Sequence, residues 1–128
     1  MTDIAGRKVL IVEDEALIAL DLKHAVEDAG GSVVGPCLRV DRALSALEGA
    51  SIDAAILDID VAGVSVIPVA DRLAWAHIPI VFHTARHDAA GLAERFAGSR
   101  VVTKPSSSDR IVELVAQFLP RTAAFATH

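Results

Sequence analysis

The 128-residue sequence lacks most of what disulfide-bonded, membrane-spanning or nucleic-acid-binding proteins need. Its single cysteine, Cys37, excludes an internal disulfide and is typical of a reducing cytosol. No apolar run approaches the roughly 18 to 20 residues that cross a bilayer, and no basic, apolar leader opens the chain. The 12 basic residues are scattered and outnumbered by 17 acidic ones, which argues against a nucleic-acid partner. We therefore expect a cytoplasmic protein that binds neither membranes nor nucleic acids.

What the sequence does contain is hydrophobic residues in short runs. They make up 52% of the chain, and the mean hydropathy is +0.45. Short runs of Val, Ile, Leu and Ala are typical of parallel strands that are covered on both faces. The length fits one domain. We expect this domain over 1–119, followed by a short tail over 120–128 and no output domain.

Predicted strands and helices alternate along the chain. The strands are predicted over 8–12, 33–34, 53–57, 78–82 and 100–103. The helices are predicted over 15–29, 40–48, 66–76 and 88–97, with a last helix that Asp109 is expected to cap. Five such βα units predict an α/β fold in which a doubly wound parallel sheet carries helices on both faces.

Charged residues follow three of these strands at their carboxyl ends. Glu13 and Asp14 follow the first strand, Asp58 follows the third, and Lys104 follows the fifth. Because the carboxyl ends of parallel strands meet in one crevice, we expect three carboxylates to face one lysine. Such a cluster suits a hard divalent cation, with Mg²⁺ as the natural choice, and a phosphoryl group. Each residue alone also has an ordinary explanation, such as an acidic first helical turn or a surface lysine.

Three further residues adjoin this predicted pocket. Thr84, at the end of the fourth strand, offers a hydroxyl donor to a phosphoryl oxygen, although β-propensity alone explains a threonine there. Pro105 fixes the turn after Lys104, and an X-Pro bond can be cis. His83 is expected to be a strand histidine whose hydrogen bonds are satisfied, and the five histidines show no metal-ligand spacing.

Two charged residues are expected at the rim of the pocket. Asp60 lies two residues after Asp58, and Arg86 lies two residues after Thr84. One hypothesis is that Asp60 and Arg86 pair across the mouth and restrict the water that hydrolyses a phosphoryl group. The alternative is a pair of solvated loop charges with little effect.

Taken together and in order, these motifs resemble the receiver domain of two-component response regulators, over about residues 7–119. The resemblance implies the flavodoxin-like strand order 2-1-3-4-5. It implies that Asp58 accepts a phosphoryl group from a phosphohistidine, and that Lys104 and Thr84 hold phosphoryl oxygens. The implied metal is Mg²⁺, and the implied metal-site residues are Asp14, Asp58, the backbone carbonyl of Asp60 and, through water, Glu13.

The same resemblance implies a signalling role. The partner would be a sensor histidine kinase or a histidine phosphotransfer protein, with another regulator as a further candidate. The chain would catalyse only its own phosphorylation and dephosphorylation, and would signal by phosphorylation-dependent binding. The segment Phe82-His83-Thr84-Ala85 resembles stand-alone receivers with a Phe-Ala-Thr-Gly-type fourth strand, from which Ala85 departs.

Two positions depart from the usual receiver pattern. Val101 stands where receivers carry an aromatic switch residue, and Ser106 replaces the usual Phe after Lys-Pro. These departures argue against an output mechanism based on an aromatic rotamer, but not against phosphorylation itself.

Two alternatives remain open from the sequence. Ile56-Leu57-Asp58-Ile59-Asp60 matches the Asp-x-Asp signature of haloacid-dehalogenase-type phosphatases, in which Asp58 would be the nucleophile and Asp60 the general acid. That alternative leaves Glu13 and Asp14 unexplained, and only about 70 residues would remain for the rest of the sheet. The other alternative is a binding module of the same fold that is not phosphorylated.

Overall fold

Strands and helices alternate along residues 4–119, the part of the chain that the computed structural model describes. The strands are β1 (Lys8–Val12), β2 (Ser32–Cys37), β3 (Ala54–Leu57), β4 (Asp60–Val61), β5 (Val64–Ser65), β6 (Ile80–Thr84) and β7 (Arg100–Thr103). The helices are α1 (Ala16–Asp28), α2 (Val40–Gly49), α3 (Ile67–Trp75), α4 (Gly91–Arg95) and α5 (Ser108–Phe118). The predicted tail over 120–128 lies outside the described residues.

Five of the strands form one parallel sheet in the order β2-β1-β3-β6-β7. This is the expected order 2-1-3-4-5, because the short antiparallel hairpin β4–β5 lies between the third and fourth strands of the sheet. The predicted fold is confirmed. Val12 pairs with Leu57, and Thr84 pairs with Thr103, so the segments that follow these strands emerge at one edge.

The sheet buries hydrophobic side chains on both faces, since successive residues of a strand point to opposite sides. Leu10, Leu57 and Phe82 belong to a cluster on one face that includes α2 and α3 residues. Val9, Ile11 and Ile56 belong to a cluster on the other face that includes α1 and α5 residues. A sheet covered on both faces holds its strand ends in fixed positions. Within residues 4–119, none of the helices combines the length and the hydrophobicity needed to cross a bilayer.

Several element boundaries differ from those expected from sequence. Strand β2 continues through Gly35-Pro36. It is an edge strand, so the N–H that proline lacks is not needed for a hydrogen bond to a neighbouring strand on the open side. Strand β6 begins after Pro79 rather than at residue 78, since proline cannot donate to the ladder. Helix α4 is shorter than predicted, and Phe96 just beyond it packs its ring 5.7 Å from that of Phe82.

The expected cap of the last helix is wrong. Ser107, not Asp109, is the N-cap of α5, and its hydroxyl accepts a hydrogen bond from the Arg110 N–H at 3.1 Å. Asp109 lies two residues after Ser107, in the first turn of the helix. A carboxylate there still interacts favourably with the positive end of the helix dipole.

Candidate functional site

The predicted acidic residues converge at the carboxyl edge of the sheet. Glu13 and Asp14 follow β1, and Asp58 follows β3, which is hydrogen-bonded to β1 along its length. One carboxylate oxygen from each of these three residues lies within 4.8 Å of the other two. Glu13 and Asp58 are buried, whereas Asp14 is exposed. The pocket therefore opens to solvent on the side of Asp14.

Lys104 brings a positive charge into this cluster from the end of β7. Its ammonium nitrogen lies 2.7 Å from Glu13 Oε1 and 2.9 Å from Asp58 Oδ2, and its side chain is 9% exposed. Burial alone lowers the pKa of Lys104, but the hydrogen bonds to Glu13 and Asp58 outweigh it and raise that pKa. Lys104 is therefore a fixed ammonium ion rather than a mobile surface lysine. The bond that joins it to Pro105 is cis.

Glu13 is the carboxylate most affected by its surroundings. Burial raises the pKa of Glu13 from 4.5 to about 7, against the lowering effect of the hydrogen bond from Lys104. The hydrogen bond and the negative charge of Asp58 contribute to this increase, because two buried carboxylates share one ammonium. The cluster thus holds more negative charge than its own residues neutralise.

This donor set fits Mg²⁺. The ion prefers carboxylate oxygens near 2.0–2.1 Å, so two ligands on opposite sides of it lie about 4.2 Å apart. The three carboxylate oxygens lie within 4.8 Å of one another, a separation compatible with binding to one such ion. The excess negative charge provides the attraction, and the exposed side of Asp14 leaves room for water ligands.

The β4–β5 hairpin, which no sequence pattern predicted, adjoins the acidic cluster. The Ala62 N–H donates a hydrogen bond to Asp14 Oδ2 at 2.8 Å. Asp60, whose carbonyl is an expected metal ligand, is the first residue of β4 in the same hairpin. One short segment therefore supplies Asp60 and contacts Asp14.

Thr84 is the last residue of β6 and is buried. Its hydroxyl accepts a hydrogen bond from the Arg86 N–H at 3.2 Å, and its carbonyl accepts one from the Lys104 N–H at 2.7 Å. The backbone of Thr84 thus holds the residue that carries the ammonium, which ties two of the predicted phosphoryl-binding residues together.

Comparison with known proteins identifies the family. The family model of the response regulator receiver domain matches residues 9–116. The chain belongs to this family of receiver domains. The receiver domain is 30% identical over 130 residues to the phyllosphere-induced regulator PhyR of Methylorubrum extorquens, which covers 93% of this chain and 49% of PhyR. It therefore spans about half the length of that curated relative.

Solved structures agree with this assignment. The solution structure of SdrG from Sphingomonas melonis has 38% identity and a TM-score of 0.74, covering 88% of this receiver and 96% of SdrG. Response regulator TrrA from Thermotoga maritima, solved in complex with Mg²⁺-BeF, has 26% identity and a TM-score of 0.73. That alignment covers 88% of this receiver and 99% of TrrA.

The phosphatase alternative is not supported. The family match is to receivers, which are signalling regulators, and it extends over most of the described residues. The position of Glu13 and Asp14 beside Asp58 also accounts for the two residues that the phosphatase alternative left unexplained.

The structure brings Asp60 and Arg86 together at the rim of the receiver pocket. Arg86 Nη1 lies 3.4 Å from Asp60 Oδ2, and both side chains are about half exposed, at 46% and 54%. Asp88, which was not among the residues predicted from sequence, binds the same guanidinium at 2.9 and 2.8 Å. The hydrogen bond from Arg86 lowers the pKa of Asp88. Asp88 is therefore the principal partner of Arg86, and Asp60 is the secondary one.

A second residue missed from sequence is Glu15. Its Oε1 lies 3.3 Å from the ammonium nitrogen of Lys104, although its side chain is 60% exposed. Glu15 is the N-cap of α1 but makes no capping hydrogen bond with its side chain. The N-cap position of a helix favours Ser, Thr, Asp or Asn, so a glutamate at the predicted start of α1 is the sequence signal that could have identified Glu15.

The expectation for His83 is wrong. The side chain is buried, but neither ring nitrogen has a hydrogen-bond partner among residues 4–119. His83 lines a cavity of about 710 Å³ together with Lys104 and Pro105. Burial lowers the pKa of His83, and the charge of Lys104 lowers it further, so both effects favour the neutral ring.

The two positions that depart from the receiver pattern have ordinary structural surroundings. Val101 is partly buried against the cluster that contains Phe82. The Ser106 hydroxyl donates to the Thr103 carbonyl at 3.0 Å, in the turn that follows β7.

Proposed function

We propose that this receiver accepts a phosphoryl group on Asp58 from the phosphohistidine of a sensor kinase or phosphotransfer protein. The observation that carries the proposal is the contact of 2.9 Å between the Lys104 ammonium and Asp58 Oδ2, inside a cluster of three carboxylates. A buried carboxylate that faces both a fixed ammonium and a cation-binding cluster is arranged to receive an anionic group.

Each residue of the cluster has a distinct role in this proposal. Asp14, Asp58 and the backbone carbonyl of Asp60 would hold Mg²⁺, and Glu13 would act through a bound water. When bound, Mg²⁺ neutralises the repulsion between the Asp58 carboxylate and the incoming phosphate. TrrA, a receiver of similar fold, was solved with Mg²⁺-BeF, which supports the choice of metal.

The transfer itself is a displacement at phosphorus. An Asp58 carboxylate oxygen forms the new P–O bond while the P–N bond to the donor histidine breaks. The electron pair of that bond stays on the imidazole, which a proton then neutralises. Charge develops on the equatorial phosphoryl oxygens in the loose transition state. Lys104 and the Thr84 hydroxyl would donate hydrogen bonds to those oxygens.

The downstream effect in this proposal is phosphorylation-dependent binding. A new phosphoryl group attracts Lys104 and Thr84, and it can shift a two-state equilibrium of the loops that follow β6 and β7. The candidate partners are a kinase, a phosphotransfer protein or another regulator in the cytoplasm. The expectation of a lone receiver without an output domain stays a prediction.

Phosphorylation can be tested with a small donor and no kinase. Incubation with acetyl phosphate and Mg²⁺ should add one phosphoryl group per chain, detected by intact mass, and EDTA should prevent it. Asp58→Asn should abolish labelling. Asp53→Asn is a matched control, because Asp53 lies just before the same strand but accepts a hydrogen bond from the Lys8 N–H at 2.8 Å and is not part of the acidic cluster. Undiminished labelling of Asp58→Asn would overturn the assignment of the acceptor.

A further inference from the structure

The turn of the β4–β5 hairpin has an unusual backbone for its sequence. Asp60 pairs with Ser65, and Val61 pairs with Val64, so the loop consists of Ala62 and Gly63 alone. Both loop residues have positive φ, 51° for Ala62 and 80° for Gly63. Such two-residue turns favour Asn-Gly or Asp-Gly, because alanine is disfavoured in the left-handed region. Ala62 therefore adopts a conformation that its own side chain opposes.

The position of Asp14 indicates what this conformation accomplishes. The Ala62 N–H points to Asp14 and donates to Oδ2 at 2.8 Å, across 48 residues of sequence. Asp14 is exposed, and no salt bridge to it is found within the described residues. The amide of a strained turn is thus the contact that orients this carboxylate. Strained backbone that persists beside a site is a reason to look for a role in that site.

We infer that Ala62 is a positioning residue that holds Asp14 for the metal, an inference that rests on the proposed Mg²⁺ site. With Oδ2 held by the amide, the carboxylate cannot rotate freely, and its second oxygen is available to the cation. Changing a group that orients a metal ligand in this way typically weakens metal affinity by about 10- to 100-fold. The same hairpin begins with Asp60, so one turn sets the position of two expected ligands.

The coupling between the β4–β5 hairpin and Mg²⁺ binding is reciprocal. If the hairpin orients Asp14 for Mg²⁺, then Mg²⁺ must stabilise the hairpin to the same extent. The hairpin borders a cavity of about 460 Å³, in which Val61 and Val64 lie beside Val40 and Leu44 of α2. Metal binding would therefore order a surface beyond the acidic cluster.

The test is a Mg²⁺ titration of the whole chain by calorimetry, with no phosphoryl donor present. Ala62→Val should weaken Mg²⁺ binding by about 10-fold, since a β-branched residue resists positive φ and outer-shell changes cost about 10- to 100-fold. Ala62→Asn should bind Mg²⁺ like the wild type, because asparagine tolerates this conformation.

His77→Val is the matched control. His77 is the other non-glycine residue with positive φ among residues 4–119, at 59°, and it borders a cavity lined by Pro79 and Phe118 rather than the acidic cluster. This variant strains the backbone in the same way and should leave Mg²⁺ affinity unchanged. Equal losses in His77→Val and Ala62→Val, or no loss in Ala62→Val, would overturn the inference.

A second measurement separates this inference from the proposed site. In the metal-free protein, Asp14→Ala should shift the Ala62 amide resonance, whether or not Mg²⁺ binds the wild type. If the wild type binds no Mg²⁺, the proposed metal site fails, even where that amide shift is present. An Ala62 amide that does not respond to Asp14→Ala overturns the positioning role, even if Ala62→Val does not fold.

Discussion

The ammonium of Lys104 lies 2.7 Å from Glu13 Oε1, closer than the 2.9 Å that separates it from Asp58 Oδ2. The lysine thus binds two buried carboxylates at once, and the closer of the two is Glu13 rather than the proposed acceptor Asp58. This sharing makes Lys104 a structural residue as well as a proposed phosphoryl-binding residue, and it has consequences for stability.

Replacing Lys104 by Met should destabilise the metal-free protein at pH 8. The change leaves Glu13 and Asp58 buried without a cation, and breaking a buried pair in this way costs about 3 to 5 kcal/mol. The loss should be smaller at pH 5, where Glu13 binds a proton. Urea unfolding in EDTA at both pH values measures this. Arg110→Met removes a cation from an exposed pair with Glu113 and should stay within about 0.5 kcal/mol of the wild type.

The pH dependence of stability should follow Glu13. Its pKa is raised from 4.5 to about 7 in the folded protein, so the folded state binds more protons than the unfolded state between these values. The contribution of Glu13 to stability is therefore fully present below pH 4.5 and is lost as pH rises through 7. Glu13→Gln should flatten this part of the profile, measured by urea unfolding in EDTA. An unchanged slope would contradict the raised pKa.

Mg²⁺ affinity should vary with pH in the opposite sense. A proton on Glu13 removes negative charge from the cluster, so the metal and the proton compete. The apparent affinity for Mg²⁺ should rise as pH increases from 6 to 8 and then level off. Calorimetric titration across this range measures the effect, and Glu13→Gln should show a weaker dependence on pH than the wild type.

Helix α5 should depend on Ser107. The Ser107 hydroxyl caps this helix, and replacing such a cap by Ala costs about 1 kcal/mol. Ser107→Ala should therefore lower the free energy of unfolding by that amount, measured in urea. Asp109→Ala removes only a favourable charge near the start of the helix, so its loss should be clearly smaller. Equal losses would contradict the assigned cap.

Asp60 and Arg86 should affect the lifetime of the phosphorylated form. If the pair restricts the hydrolytic water, Asp60→Ala and Arg86→Ala should shorten the half-life of labelled protein about twofold, as expected for a weak exposed pair. Asp88→Ala is informative, because it frees Arg86 for Asp60 and should not shorten the half-life. Unchanged lifetimes in Asp60→Ala and Arg86→Ala would mean that the contact of 3.4 Å has no such role.

The sheet and the convergence of its charged residues could be predicted because both can be recognised at the ends of strands in the sequence. A short apolar run that ends in a charged residue indicates both a buried strand and the edge at which its charge emerges, as for Asp58 and Lys104. The β4–β5 hairpin was missed because Ala62-Gly63 lacks the usual Asn-Gly or Asp-Gly signal. The partners of Arg86 and the unpaired ring of His83 depend on tertiary contacts that no local pattern encodes.

The acidic cluster and Lys104 together have a net charge that a single divalent ion would neutralise. When all three are ionised, Glu13, Asp14 and Asp58 carry three negative charges and Lys104 carries one positive charge, so a single divalent ion would bring these four side chains to neutrality. Converting the Asp58 carboxylate to an acyl phosphate with a dianionic phosphoryl group would then restore one negative charge in the pocket. The modified receiver would differ from the resting one in electrostatic potential as well as in shape, and a basic side chain on a binding protein could distinguish the two.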